Sequence, residues 1–470
     1  MWLNVDGMAG ESHDDLAVLA NLALKLEDQF DTESPGPGNA VAGEQSTNAS
    51  TSRATATSTT RGNKEGSGET AWLTSPTHAL VTLRNMTSRL KVFLISDIAI
   101  AFIFAVLWQA LMTFLGAILL PDQSGTFDHT IQWDAHWYLN ILKERYLINP
   151  ASPAFYPLFP LIIGMLSTLT FHSIPYSQLG LLVNTVSLGF AIAALLTISR
   201  QFGIQNFRYA TVALFLAAPA AIFAHLFYSE AVFVALGFWA YAFALQRRWM
   251  LAGITLAFLT ATRLPSLLFL ALCGLEYLRA YNWNIKKTIN RNLASLLLAP
   301  AGFLLYGIYL LAVRGNFFAM FSAYKSTSAW AYLSFEPNFF HTIFTAAREM
   351  GRAVIGKRIF DNDIIVNYAI PLLCLAILLG CSIHLLYIYR GKGVPLGIFG
   401  LCSIIFFTVN NSLLAVHRYL LPCLSIYIVL ALIYADYRRL RVLVISIGLT
   451  MLAVQAILIY MLFVTKDFAG

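Results

Sequence analysis

From about residue 92 onward, long apolar runs alternate with short polar clusters. Uninterrupted apolar stretches of ~17–25 residues recur, the length of helix that crosses a bilayer core. The pattern places spans at roughly 92–120, 178–199, 208–224, 228–246, 250–262, 264–281, 293–313, 368–389, 395–411, 418–434 and 440–464. The stretch 157–172 is shorter, and its Pro157 and Pro160 fit a partial or re-entrant span. A β-barrel would show short alternating segments instead. The expected fold is therefore all-α: a polytopic integral membrane protein of about 10–12 hydrophobic helices, with a helical loop at the interface after the first span.

The polar clusters set the expected orientation. Arg84, Arg89 and Lys91, then Arg200 and Arg208, Arg247 and Arg248, Lys286, Lys287 and Arg291, Arg390 and Lys392, and Arg438, Arg439 and Arg441 recur between pairs of runs. Such clusters face the cytoplasm. The alternation closes only if 157–172 does not cross. Residues 1–90 form the expected cytoplasmic tail. Most of it is rich in Ser, Thr, Gly and charge, too poor in apolar residues to offset the entropy of ordering, with one short amphipathic stretch at "DDLAVLANLALKLEDQF". The membrane domain then covers 91–466.

Composition sharpens this. Of 470 residues, 58% are hydrophobic and 12% charged, against about 25% charged in soluble proteins. The net charge of +7 sits in the inter-span clusters, so no nucleic-acid partner is implied. Cys273, Cys374, Cys381, Cys402 and Cys423 lie in apolar runs without metal-ligand spacing, and read as buried structural thiols.

With this orientation the unusual polar residues gather on the non-cytoplasmic side: loop 121–156 with Asp122, Asp128 and Asp134, the turns holding Glu230 and Arg263, segment 314–367, and "VNNSLLAVHRYL". Asp134, between Trp133 and Trp137, either caps the helix that follows or acts as a base. On that helix it would share a face with Trp137, Tyr138 and Ile141, an apolar surface that raises a carboxylate's basicity. Asp97 is an intramembrane acid, a functional candidate by default, but near enough to the basic end to pair there. Glu230 either caps its helix or orients a substrate. Arg263 needs an anionic partner: a phosphate, or Glu230 or Asp134. Arg418 snorkels or, with His417, meets phosphate or sugar. The basic and aromatic residues of 314–367 suit interfacial helices near anionic headgroups.

The blocks "WDAHWYLNI", "AFYPLFPLI", "HLFYSEAVFVAL", "LTATRLPSLL" and "HRYLLPCL", in that order, resemble the GPI mannosyltransferase II (PIG-V type) family and its prokaryotic relatives. The resemblance implies a GT-C-type glycosyltransferase using a polyprenyl- or dolichyl-phosphate sugar, with Asp134 matching the acid of the first non-cytoplasmic loop. Glu230 and Arg263 match further blocks. The expected reaction needs a base, Asp134, and cations around the leaving phosphate, Arg263 with Arg418 or His417, but no metal or other cofactor. Trp133, Trp137 and Tyr138 are candidates to position the sugar. The partners implied are the lipid-linked donor, a glycolipid or glycan acceptor and membrane lipids, in a plasma membrane or endoplasmic reticulum membrane. A transporter of lipid-linked sugars is the competing class.

Overall fold

The computed structural model describes residues 96–120, 127–326 and 334–465. The expected tail, its amphipathic stretch, Arg84, Arg89, Lys91 and Asp122 lie outside the described residues. Within them the chain is mostly helical, and its only extended pairing is a single bridge between Phe335 and Asn410. Five helical stretches are long and apolar enough to cross a bilayer: Asp97–Leu119, Tyr176–Gln201, Arg291–Arg314, Asn362–Tyr387 and Arg438–Val464. Five more apolar helices are shorter: Leu158–Leu169, Glu230–Leu245, Trp249–Thr260, Gly393–Thr408 and Leu424–Asp436.

In chain order the principal helices are α1 (Asp97–Leu119), α2 (Ala135–Glu144), α3 (Leu158–Leu169), α4 (Tyr176–Gln201), α5 (Arg208–Leu216), α6 (Glu230–Leu245), α7 (Trp249–Thr260) and α8 (Ser266–Ala280). They continue with α9 (Ala301–Arg314), α10 (Ala319–Ser326), α11 (Phe339–Val354), α12 (Ile370–Tyr387), α13 (Gly393–Thr408), α14 (Leu424–Asp436) and α15 (Arg441–Tyr460). Short helical turns join several of them. Helix α1 packs along α4, and α4 along α6, which is apolar on nearly every face and buried on most.

Asp97, the first residue of α1, pairs with Arg200 in the last turn of α4 and, at 3.3 Å, with Arg208. Its role is thus the structural one, with partners beyond the Lys91 that the sequence suggested. The pairing also levels the start of α1 with the end of α4. Arg247 and Arg248 after α6, Arg279 at the end of α8 and Arg438 after α14 mark the corresponding ends of those helices. We call this the basic end.

Helices α6, α7, α8 and α14 have only 16, 12, 15 and 13 residues. At 1.5 Å per residue they rise roughly 18–24 Å, short of a ~30 Å hydrocarbon core. The sequence reads them as full spans; in the structure their far ends stop inside the bundle. The expected span 208–224 is likewise interrupted: α5 ends at Leu216 and a 3-10 turn follows over Pro219–Ala224. The cause is Pro219, which cannot donate the helical hydrogen bond that continuation would need.

A broken backbone at membrane depth must find its hydrogen bonds within the protein. Here three intramembrane amides supply them. Gln109 of α1 donates to the Ala224 carbonyl (3.0 Å), and Asn184 of α4 to the Leu226 carbonyl (2.5 Å). Gln455 of α15 donates to the carbonyls of Leu216 (3.1 Å) and Ala218 (2.7 Å). Gln109 lies ten residues before the end of α1 and Asn184 eight after the start of α4. The loop before Glu230 is therefore sunk about 12–15 Å below those helix ends.

Around this recess two helices rise toward the far end. Leu158, first in α3, donates its N–H to the Ala261 carbonyl (3.0 Å) just past α7. Helix α3 climbs from there to the turn that begins α4. Residues 157–172 thus start and finish on the same side of the bundle and do not cross it. Helix α9 starts at the same depth, where a Cβ on Gly302 would collide with the Ala257 carbonyl. Its upper part holds loop 145–153: Tyr306 donates to Pro153 O (2.8 Å), Tyr309 to Arg145 O (2.9 Å) and Arg314 to Asn149 O (2.6 Å).

Candidate functional site

At the bottom of the recess, four charged side chains from four separate segments meet. Arg418 donates from Nη1 to Asp134 Oδ2 at 2.6 Å and from Nε to Glu230 Oε1. Arg263 pairs with the same Glu230 oxygen. Glu230 is the first residue of α6, where the helix dipole favours a negative charge. Asp134 occupies the N-cap position of α2, yet its side chain makes no capping bond. The capping alternative therefore does not describe this residue; its carboxylate is turned to Arg418. Nor does it lie on an apolar surface, as the sequence suggested, since a guanidinium faces it.

The cluster is graded in accessibility. The side chains of Arg418 and Glu230 are 1% and 5% exposed, whereas Arg263 and Asp134 reach 13% and 19%. Incoming molecules therefore meet Asp134 and Arg263 first. Arg418 is the keystone beneath them. Its guanidinium lies 4.3 Å from the Tyr228 ring centroid and 5.2 Å from that of Phe223, and aromatic faces of this kind attract a desolvated cation. Glu230 Oε2 and Arg418 Nη2 are buried without hydrogen-bond partners, an unusual condition for charged groups.

Backbone geometry aims both ends of the Asp134–Arg418 bond. Trp133, immediately before Asp134, has φ +45°, and Ala415, three residues before Arg418, has φ +61°. Such left-handed conformations cost side-chain-bearing residues about 1–2 kcal/mol. Tyr228 fixes the first turn: its hydroxyl donates to Gln132 O (3.0 Å) and accepts from Asp134 N–H (3.2 Å). Tyr228 escaped the sequence reading because a tyrosine in an apolar run looks like core. Its signal was the "FYSE" adjacency to Glu230.

The remaining candidates separate. Trp133 is 41% exposed beside Asp134. Trp137 stacks on Phe155, with ring centroids 5.7 Å apart and 14° between planes. Tyr138 is buried, packed edge-on to Phe155 and Phe159, with its hydroxyl 2.7 Å from Ser229 Oγ. Its contacts lock α2 to the segment before Glu230, and it offers little free surface. His417 is buried and lines a different cavity of about 30 Å³ with Ala218, Pro219, Tyr427 and Met451. That is roughly one water's space, and no charged member of the cluster lines it. Helix α2, expected at the interface, turns Ala135, Tyr138 and Ile141 inward onto the bundle.

The five cysteines are unpaired, and three of them are buried. Among the described residues no group of three or more His, Cys, Asp or Glu side chains gathers as a metal would require. A scan against protein-family profiles gives no match, and neither does a search of curated proteins. The likeness to the mannosyltransferase family accordingly stands on the five sequence blocks alone.

Proposed function

We propose that the protein is an inverting membrane glycosyltransferase of the GT-C type. It would move a sugar, mannose by resemblance, from a polyprenyl- or dolichyl-phosphate carrier to a glycolipid or glycan acceptor. The observation that carries this reading is the convergence of Asp134, Glu230, Arg263 and Arg418 in a recess between membrane helices. A lipid-borne phosphate reaches such a depth from the bilayer side, and one carboxylate with one accessible guanidinium are the groups its chemistry needs.

In the proposed reaction Asp134 accepts the proton of the acceptor hydroxyl while that oxygen attacks the anomeric carbon. The bond from that carbon to the phosphate oxygen breaks, and the electron pair leaves with the lipid phosphate. Arg263 balances the developing charge. Arg418, already bound to two carboxylates, positions Asp134 and holds Glu230 in place rather than contacting the phosphate. The basic end faces the cytoplasm under the positive-inside rule, so the recess opens on the other face. The membrane would be the plasma membrane in a bacterium or the endoplasmic reticulum in a eukaryote.

One observation favours a second reading, a carrier of lipid-linked sugars. Interrupted helices at membrane depth, such as 208–245, are also what transporters use around a midplane site. Reconstituted vesicles separate the two. Transfer of labelled sugar from a lipid-phosphate donor, lost by at least a hundredfold in Asp134→Asn with expression and thermal stability retained, supports the enzyme. Movement of unmodified lipid without transfer supports the carrier. Near-normal transfer by Asp134→Asn removes Asp134 as the base.

A further inference from the structure

Tyr324 has no place in the reading above. It lies on α10, which packs on the 3-10 turn Ser152–Ala154 beside the recess. Its side chain is 36% exposed, yet the ionisable groups acting on it are Tyr419, Tyr156, Arg263 and Asp134. A residue that keeps accessible surface while close to buried charges lines a cleft rather than an outer face. The Tyr419 ring supplies a second wall, carrying the Arg263 guanidinium 5.3 Å from its centroid and stacked on Phe407 at 5.5 Å.

Tyr156 completes the group. It is 4% exposed, held by its ring against Tyr306 at 5.1 Å, and its hydroxyl is buried without a hydrogen-bond partner. A buried hydroxyl left unpaired costs about 1–3 kcal/mol, so its position calls for a polar partner. Aromatic faces beside a lone hydroxyl, next to a cation, suit a neutral polyol attached to an anion. A ring with both an apolar C–H face and several hydroxyls meets all of these groups at once.

We propose that Tyr324, Tyr419 and Tyr156 form a sugar subsite above Arg263, which grips the hexose of a lipid-phosphate hexose while its phosphate lies at the guanidinium. This rests on the lipid-linked donor of the proposed function. It adds a prediction that transfer alone does not make: the protein distinguishes a glycosylated carrier from the bare one.

The test is binding to the full-length protein in nanodiscs, using polyprenyl-phosphate mannose, polyprenyl-phosphate glucose and the same polyprenyl phosphate without sugar. Wild type should bind at least one hexose form roughly tenfold or more tightly than the bare phosphate. Tyr324→Ala should remove most of that preference, as expected for loss of an aromatic contact. Tyr156→Phe, which keeps the ring packing, should reduce it roughly three- to tenfold. Neither variant should change affinity for the bare phosphate. Equal binding of all three lipids by wild type, or full discrimination retained in both variants, overturns the subsite. Discrimination without any sugar transfer in the vesicle assay leaves the subsite standing and overturns the transferase instead.

Discussion

Both ends of the helix bundle carry ion pairs, and they differ in every respect that matters physically. At the basic end Asp97 meets Arg200 and Arg208 at helix termini, with Arg200's side chain 44% exposed. Glu276 and Arg279 pair within one helix turn. At the recessed end the partners come from positions 134, 230, 263 and 418, interlock through shared atoms, and are nearly or wholly withdrawn from solvent. Exposed pairs contribute about 0–1 kcal/mol, whereas breaking one buried pair costs about 3–5 kcal/mol. The basic end is thus arranged at little energetic risk. The recessed end holds charges that nothing about helix packing requires, with two polar atoms still unpartnered.

That contrast can be broken most severely at the keystone. Arg418→Met leaves Asp134 and Glu230 without their shared guanidinium, and should cost about 3–5 kcal/mol in unfolding assays in detergent. A loss below about 1 kcal/mol would place the recessed cluster in the same class as the basic end.

The next effect concerns the backbone beneath the cluster. Gln109 also lies 2.6 Å from His225 Nδ1, whose Nε2 is 3.0 Å from His129 Nε2. Because Gln109 donates to Ala224 O through its nitrogen, its oxygen accepts from His225 Nδ1–H. His225 Nε2 then accepts from His129. Gln109→Leu breaks this chain and orphans the Ala224 carbonyl, so a loss of about 1–3 kcal/mol is expected in the same assay. Amide exchange in 217–229 should rise before that of α4, and uniform loss would show that the loop is not held locally.

Asp97→Asn sharpens the comparison from the other side. It should shift stability by less than about 1 kcal/mol and leave donor binding and transfer unchanged. A large loss of transfer would make the basic end part of the working site.

The smallest effect lies in the surface segment after α10. The hydrogen bond from Arg358, first, and that from Arg352 hold the Glu349 carboxylate below its ordinary value of 4.5. A depressed carboxylate contributes stability above its ordinary value and loses it as pH falls through the lowered one. Hydrogen exchange across 339–354 should therefore be unchanged from pH 7 to about 5 and rise modestly below it. An increase already near neutrality would mean that other groups hold the segment.

Much of this was written in the sequence, for reasons that can be named. The apolar runs of α1, α4, α12 and α15 are long because a helix must match the hydrocarbon thickness whatever its neighbours do. Asp134, Glu230, Arg263 and Arg418 were conspicuous because charge in or beside a membrane helix is expensive unless it has a purpose. The sunken loop was not legible. Its sequence, "PAAIFAHLF", is as apolar as a helix because protein rather than water surrounds it, and only Pro219 marked the break. Gln109, Asn184 and Gln455 passed as incidental polar residues within spans, since their partners are carbonyls a hundred or more residues away, or about forty for Asn184. Tyr324 was hidden for the opposite reason: tyrosines on an interfacial segment are ordinary.

What the sequence determined alone was the class of molecule and its costly residues, because solvation by lipid or water acts on each segment separately. Which charges share an oxygen, where helices stop short of the bilayer surface, and which tyrosines face Arg263 were decided only when the segments packed. Hydrogen bonds and ion pairs depend on atoms coming within about 3 Å of each other, and no local pattern specifies a meeting between residues 134 and 418.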